Sequence, residues 1–285
     1  MPDNPVSCHL ITWGRDYKTG LREAASLGFH SCETFTGLAL EYEGRLDGFR
    51  ELLAAHGLRL SALYGGGRFS DPARRTEVVT YNTRVARFLA ALGVDRIVFG
   101  PAGPRTPGGT TNEELRQAAR TIDEAARPCY EVGVLPCVHP HLDTEIEAER
   151  EIDAIMDLTD PRYVFFCPDT AHLTAAGMDA AAMIRRYGDR MRYMHIKDLR
   201  AGVIEERRGE RSAASTGTER LPIFCELGRG VIDYGPIMSA LEQVGYQDWI
   251  TVEIDSSTST PRESLRICRD YLQERLGLRL DAKPV

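Results

Sequence analysis

The sequence predicts a single-domain (β/α)8 barrel spanning residues 1–285, on three observations. Short apolar runs alternate with longer stretches of helical periodicity from end to end, a rhythm that fits repeated βα units rather than a sandwich or a bundle. Five helical stretches end in the same way, in "AASLGF", "AAHGLRL", "AALGVD", "YEVGVL" and "LEQVGY". In each a glycine able to adopt a left-handed conformation stops the helix and the next strand starts within a few residues. The length of 285 residues with 42% hydrophobic content suits one large barrel with a sizeable core.

Taken in order, the eight strand candidates are "SCHLI" from Ser7, "FHSCETF" from Phe29, "LRLSALY" from Leu58, "DRIVFG" from Asp95, "VLPCVH" from Val134, "YVFFC" from Tyr163, "RYMHI" from Arg192 and "WITVEI" from Trp249. Between the fourth and fifth, "TNEELRQAARTIDEAARPCYEVG" reads as an amphipathic helix with Thr111 as N-cap and Gly133 just past its end. Two stretches break the rhythm. "GPAGPRTPGGTT" (100–111) is a Gly/Pro-rich loop after the fourth strand, and 200–230 is a long polar connection after the seventh, with 200–222 read as a loop. Connections of that length are lids, binding segments or surface insertions. Residues 279–285 read as a peripheral tail.

The formal net charge of −7 argues against a nucleic-acid partner, which would need clustered Lys and Arg. No apolar run approaches the roughly 20 residues that span a bilayer, and "MPDNPVSCHL" lacks a basic and an apolar leader segment, so the expected location is cytoplasmic. Seven cysteines without a C-x-x-C pair read as reduced, mostly buried thiols rather than a disulfide framework or a zinc knot.

In a βα barrel the C-terminal ends of the strands converge on one mouth, which makes neighbours of residues far apart in sequence. Here the fifth strand runs into "HPHLDTEIE", the sixth into "PDTAH", the seventh into "HIKD" and the eighth into "VEID". Four of the seven histidines, His139, His141, His172 and His195, stand at these exits. Any one of them could be a core histidine satisfied by a carbonyl. The carboxylates weigh more. Asp169, Glu253 and one of Glu145 or Glu147 would crowd like charges into one mouth, and a divalent cation relieves that conflict. Carboxylate oxygens with one imidazole, His195, suit Mn²⁺, Mg²⁺ or Co²⁺ better than a sulfur-rich site would.

These motifs, with "HLITWG" and "GRGVIDYGPIMSAL", resemble the xylose-isomerase-like barrel superfamily of sugar isomerases and epimerases, and within it the inosose dehydratase branch. The resemblance covers almost the whole chain. It implies one metal, Mn²⁺ first, held by Asp169, His195, Glu253 and a fifth-strand residue. Glu147 matches that residue, with Glu145 and His139 as the other choices. It also implies a sugar or cyclitol substrate, with a homo-oligomer and a small partner subunit left open. The implied reaction is proton abstraction beside a carbonyl through an enediolate, ending in dehydration or in epimerisation or isomerisation. Further readings are the catalytic subunit of a carbon-glycoside-cleaving enzyme, a DNA-repair nuclease, which the acidic balance opposes, and a sugar-binding barrel without activity.

His139, His141 and His172 are expected to move protons, having pKa values naturally near neutrality. Lys197 lies two residues after His195 and shares its face of the strand. It would polarise a carbonyl or hold a hydroxyl, or else pair with Asp198 or another mouth carboxylate. Trp13 and Phe35 are expected as an apolar wall for a ring, or as ordinary core, and Arg200 as a substrate contact. Glu33 lies within its strand, as a salt-bridge partner or a substrate contact.

Overall fold

The computed structural model of the chain describes residues 4–210 and 222–282. Eight parallel strands form the barrel: Val6–His9, Ser31–Phe35, Arg59–Gly67, Arg96–Pro101, Leu135–Val138, Phe165–Phe166, Tyr193–Ile196 and Trp249–Val252. They pair in the spatial order sixth, fifth, fourth, third, second, first, eighth, seventh. The seam between the sixth and seventh is closed by two parallel bridges, Phe166 with Met191 and Asp169 with His195. Each strand falls within a predicted run or beside it. The sixth is only two residues long because Tyr163 and Val164 give their N–H groups to the Asp160 carbonyl in a turn, and Pro168 has no N–H to continue the ladder.

Period-two alternation divides the strand residues between two cores. Cys8, Ile97, Val138, Met194, Ile196, Ile250 and Val252 face the surrounding helices. Ala62, Val98, Cys137, Phe165, Cys167, Tyr193 and Trp249 fill the barrel interior. Carried one step toward the strand ends, the same alternation brings His9, Glu33, Tyr64, His139, His195, Lys197 and Glu253 to the interior side of the mouth. The third strand extends further than its apolar run, through Gly65, Gly66 and Gly67. There the backbone lies against the fourth strand so closely that a Cβ on Gly66 would meet the Gly100 carbonyl oxygen at 2.1 Å.

Helix boundaries follow local chemistry. The helix Asn112–Glu131 starts at Thr111 with a reciprocal capping box to Glu114 and ends ahead of Gly133, at φ 81°. All five glycines read as helix stops, Gly28, Gly57, Gly93, Gly133 and Gly245, have positive φ. Leu278 and Leu280 pack into the core, so the segment read as a peripheral tail from 279 has an anchored residue, Leu280, near its start.

The connection after the seventh strand differs from the loop expected at 200–222. Its start is helical, Val203–Glu210, because Val203 buries itself among Leu142, Ala171, Leu199 and Phe224. Residues 211–221 lie outside the described residues. Asp198–Leu199 and Phe224–Cys225 form a two-stranded antiparallel ribbon at its base. The Asp198 carboxylate then gathers the N–H groups of Gly228, Gly230 and Ile232 at 2.9 to 3.1 Å. This gives the aspartate of "HIKD" and the glycines of "GRG" a shared structural task.

Candidate active site

The strand exits do meet. Asp169, His195 and Glu253 are buried and offer ligand atoms within 4.8 Å of one another. Asp169 N-caps the helix Thr170–Ala175, its Oδ1 accepting from the N–H groups of Ala171 and His172 at 2.8 and 2.9 Å. That cap leaves Oδ2 turned to the mouth, buried and without a hydrogen-bond partner. His195 Nδ1 and Glu253 Oε2 are 2.9 Å apart, yet neither makes a properly directed hydrogen bond. Three orphaned atoms on an oxygen, oxygen and nitrogen donor set are what a divalent cation would satisfy, since buried polar groups otherwise find partners. His139 adds a nitrogen within 4.8 Å of donors on Asp169 and His172, and in a second grouping of donors on Cys167 and His195.

Lys197 Nζ lies 2.8 Å from Asp255 Oδ1, 3.4 Å from Glu253 Oε1 and 3.7 Å from Asp169 Oδ2. Burial works against its charge, but Glu253, Asp255 and Asp169 prevail and hold its pKa above the ordinary lysine value. It stays an ammonium. Burial also opposes a charge on His195, yet the Glu33 and Glu253 carboxylates push it up to about 10. His139 and His172 go the other way. Burial, reinforced by His195 at His139 and by Lys197 at His172, drives both well below the usual histidine value. The site therefore holds two neutral imidazoles, acceptors of protons, beside a permanent cation.

The sequence matches the family model "Xylose isomerase-like TIM barrel" over residues 21–274. The chain belongs to this family. It is 32% identical over 275 residues to an inosose dehydratase of Clostridium beijerinckii, covering 92% of this chain and 90% of that one. It is 30% identical over 271 residues to an inosose dehydratase of Geobacillus kaustophilus, covering 88% and 85%. Among solved structures, the IolI protein with a bound zinc atom superimposes with a TM-score of 0.76 at 18% identity, covering 95% of this chain and 97% of that one. This xylose isomerase-like barrel is thus an enzyme, of the lyase or the isomerase and epimerase kind, that modifies a sugar.

Of the residues singled out in the sequence, the barrel brings His139, His141, His172, Asp169, His195, Lys197 and Glu253 together. The His141 and His172 rings lie 3.9 Å apart and those of His139 and His172 5.5 Å apart. Glu147 is a correction. Its carboxylate accepts from the Asp143 N–H at 2.7 Å and pairs with Arg105 and Arg207. It is in none of the potential cation groups among the described residues. Glu145 is likewise taken, by the N–H groups of Phe69 and Ser70. The fifth-strand group that reaches the site is His139, because Glu145 and Glu147 lie beyond the strand in a loop folded back on itself.

Arg200 is a second correction. Its guanidinium is committed to Glu206 and to the carbonyls of Ala201 and Pro222, where it ties the helix to the ribbon. Trp13 is a third. Its indole N–H donates to Glu23 at 2.8 Å and its ring sits against Gly20 of the first helix. Phe35 does line the mouth, 5.1 Å from the His9 ring and 5.9 Å from that of Tyr64. Lys197 pairs with Asp255, Glu253 and Asp169, while Asp198 serves the ribbon. Glu33 takes the ion-pair role of its two expected ones, accepting from His195 Nε2 at 2.7 Å.

Three neighbours escape a reading of the sequence. Tyr64 stacks at 18° on His195 and meets His139 edge-on at 5.5 Å. Phe224, from the ribbon, lies 4.4 Å from Lys197 Nζ and 4.8 Å from the His172 ring. Asp255 holds Lys197. Period-two counting toward the end of the third strand would find Tyr64; nothing local marks Phe224.

Proposed function

We propose that this enzyme is a divalent-cation-dependent dehydratase acting on a keto-inositol or a closely related keto-sugar. The observation that carries the reading is the convergence of three orphaned donor atoms, on Asp169, His195 and Glu253, beside two neutral imidazoles and a fixed ammonium. The names of the relatives at 30% and 32% identity favour dehydration over the other reactions open to this family.

Asp169, His195, Glu253 and His139 would hold the cation. A bound divalent cation supplies Lewis acidity toward a carbonyl and its neighbouring hydroxyl, which makes the adjacent C–H more acidic. Two imidazoles and two carboxylates disfavour Mg²⁺ and leave Mn²⁺ as the first choice, with Co²⁺ and Zn²⁺ next. The Lys197 ammonium donates to an oxygen on which negative charge grows, without first having to be organised. His172, neutral at pH 7 and outside that ligand set, takes the C–H proton. Dehydration also needs an acid to protonate the departing β-hydroxyl as its C–O bond breaks. The half-buried His141, its ring tilted 39° against that of His172, is suitably placed for that transfer. Phe35 and Tyr64 offer flat apolar faces to the ring C–H groups of the substrate. The seven unpaired thiols, six of them buried, support a reducing, cytoplasmic setting.

Incubation of the Mn²⁺-loaded enzyme with inosose in deuterated water tests the reading. Loss of water to give an unsaturated diketone is expected. Deuterium exchange at the carbon beside the carbonyl without loss of water would replace the dehydratase by an epimerase or isomerase. Full activity in a metal-free preparation would overturn the cation's role.

A further inference from the structure

The geometry points to Glu33 as a positioning residue that fixes the His195 ring for cation binding, an inference resting on the reading of Asp169, His195 and Glu253 as ligands. Glu33 lies on the second strand, across the barrel interior from the seventh, and is fully buried. A carboxylate there is costly, and an apolar residue would fill the interior at lower cost. Its Oε2 accepts from His195 Nε2 at 2.7 Å. With Nε2–H so engaged, Nδ1, facing Glu253 at 2.9 Å, is the nitrogen left to bind a cation when its own proton is given up.

Glu33 is itself held in place by a layer of hydroxyls. Tyr193 O–H donates to Glu33 Oε2 at 3.2 Å, and Thr251 Oγ1 donates to the Tyr193 oxygen at 2.7 Å. Ser61 lies 2.8 Å from the same oxygen and 2.7 Å from Ser7. Four strands, the first, third, seventh and eighth, contribute to this support. On the other side, His9 Nδ1 accepts from the Ile11 N–H at 2.9 Å. His9 Nε2 then lies 4.0 Å from Glu33 Oε1, beyond hydrogen-bond distance, and neither atom has a hydrogen-bond partner. The arrangement resembles the carboxylate, histidine and metal sequence by which outer groups set a ligand's tautomer and angle. A buried ion pair that served only the fold would need neither the hydroxyl layer nor a ring whose second nitrogen faces the other donors.

The test uses full-length protein stripped by chelation and reloaded with Co²⁺, whose visible absorption band reports ligand geometry. Glu33→Ala is expected to weaken Co²⁺ binding by about 10- to 100-fold, measured by competition with a chelating dye, and to shift the band. Glu33→Gln keeps an acceptor oxygen for Nε2–H, and is expected to retain the wild-type band with a smaller loss of affinity. Tyr193→Phe, which removes the donor beneath Glu33, is expected to lose less still. Wild-type affinity and an unchanged band in both Glu33 variants, with only the melting temperature of the cation-free protein lowered, would overturn the assignment. Failure of the wild-type protein to bind Co²⁺ would instead overturn the cation site itself. Should Glu33→Ala not fold, as judged by circular dichroism, Glu33→Gln and Tyr193→Phe decide the question.

Discussion

Two groups of buried carboxylates stand close to the mouth of this barrel, and the protein treats them in opposite ways. After the fifth strand, Glu151, in the first turn of the helix Glu149–Leu158, accepts two hydrogen bonds from Arg105 and one each from the N–H groups of Thr110, Glu147 and Ala148. Glu145 takes the N–H groups of Phe69 and Ser70, and Glu147 is paired with Arg105 and Arg207. At the last strand exits, Asp169, Glu253 and their neighbour His195 each keep a buried atom without a hydrogen bond. The first group is satisfied from within the chain and serves the shape of the loop. The second is left incomplete, and an incomplete buried group is where an external ion or substrate gains binding energy.

The comparison can be broken at several points. Removal of a ligand from the incomplete group has the largest expected effect. Glu253→Ala and Asp169→Asn should reduce the cation content from about one per chain to near zero, measured by elemental analysis, and lower kcat/KM by about 10³-fold or more. Glu147→Ala should leave the cation content unchanged; a loss equal to that of Glu253→Ala would return Glu147 to the ligand set. Next comes Lys197→Met. On the proposed mechanism, in which the ammonium stabilises developing charge and is not itself a ligand, it should keep the cation and lower kcat by about 10²-fold.

In the satisfied group the expected losses are of stability. Glu151→Ala removes two hydrogen bonds from Arg105, leaves three N–H groups unpaired and should cost about 3 kcal/mol, read as a lower melting temperature with normal cation content. Burial alone would raise the Glu151 carboxyl, but Arg105 and the N–H groups of Ala148 and Glu147 hold it below its ordinary value. A depressed pKa stabilises the fold above the ordinary carboxylate value, and that contribution fades as the pH falls through the lowered value. The wild-type melting temperature should therefore fall more steeply on acidification than that of Glu151→Gln. The smallest effect belongs to Arg207→Ala. It leaves Glu147 with Arg105 and should cost about 1 kcal/mol or less, measured by urea unfolding.

Much of this site is legible in the order of residues alone, and the parts that are not share a cause. The strand exits and the glycine stops are local signals, so the barrel pattern suffices to put Asp169, His172, His195 and Glu253 at one mouth. Counting two residues from His195 puts Lys197 on the ligand's face of its strand. The fifth-strand ligand resists such counting, because three acidic residues follow the strand within a few positions of one another, and spacing cannot say which way an irregular loop turns them. Arg105, from a loop, and Arg207, from the helix Val203–Glu210, pair with Glu147. Arg200 and Trp13 show the same limit: both lie near strand exits, and both are claimed by partners in adjacent helices.

The order of strands and helices, the barrel and the gathering of histidines and acids at one end are properties of the sequence, because periodicity and helix stops act over a few residues. Only the tertiary structure joined Glu33 to His195 across 162 positions of chain and separated the satisfied carboxylates from the unsatisfied ones. Whether a buried charge is at rest depends on which donors reach it in space, and no local pattern encodes that.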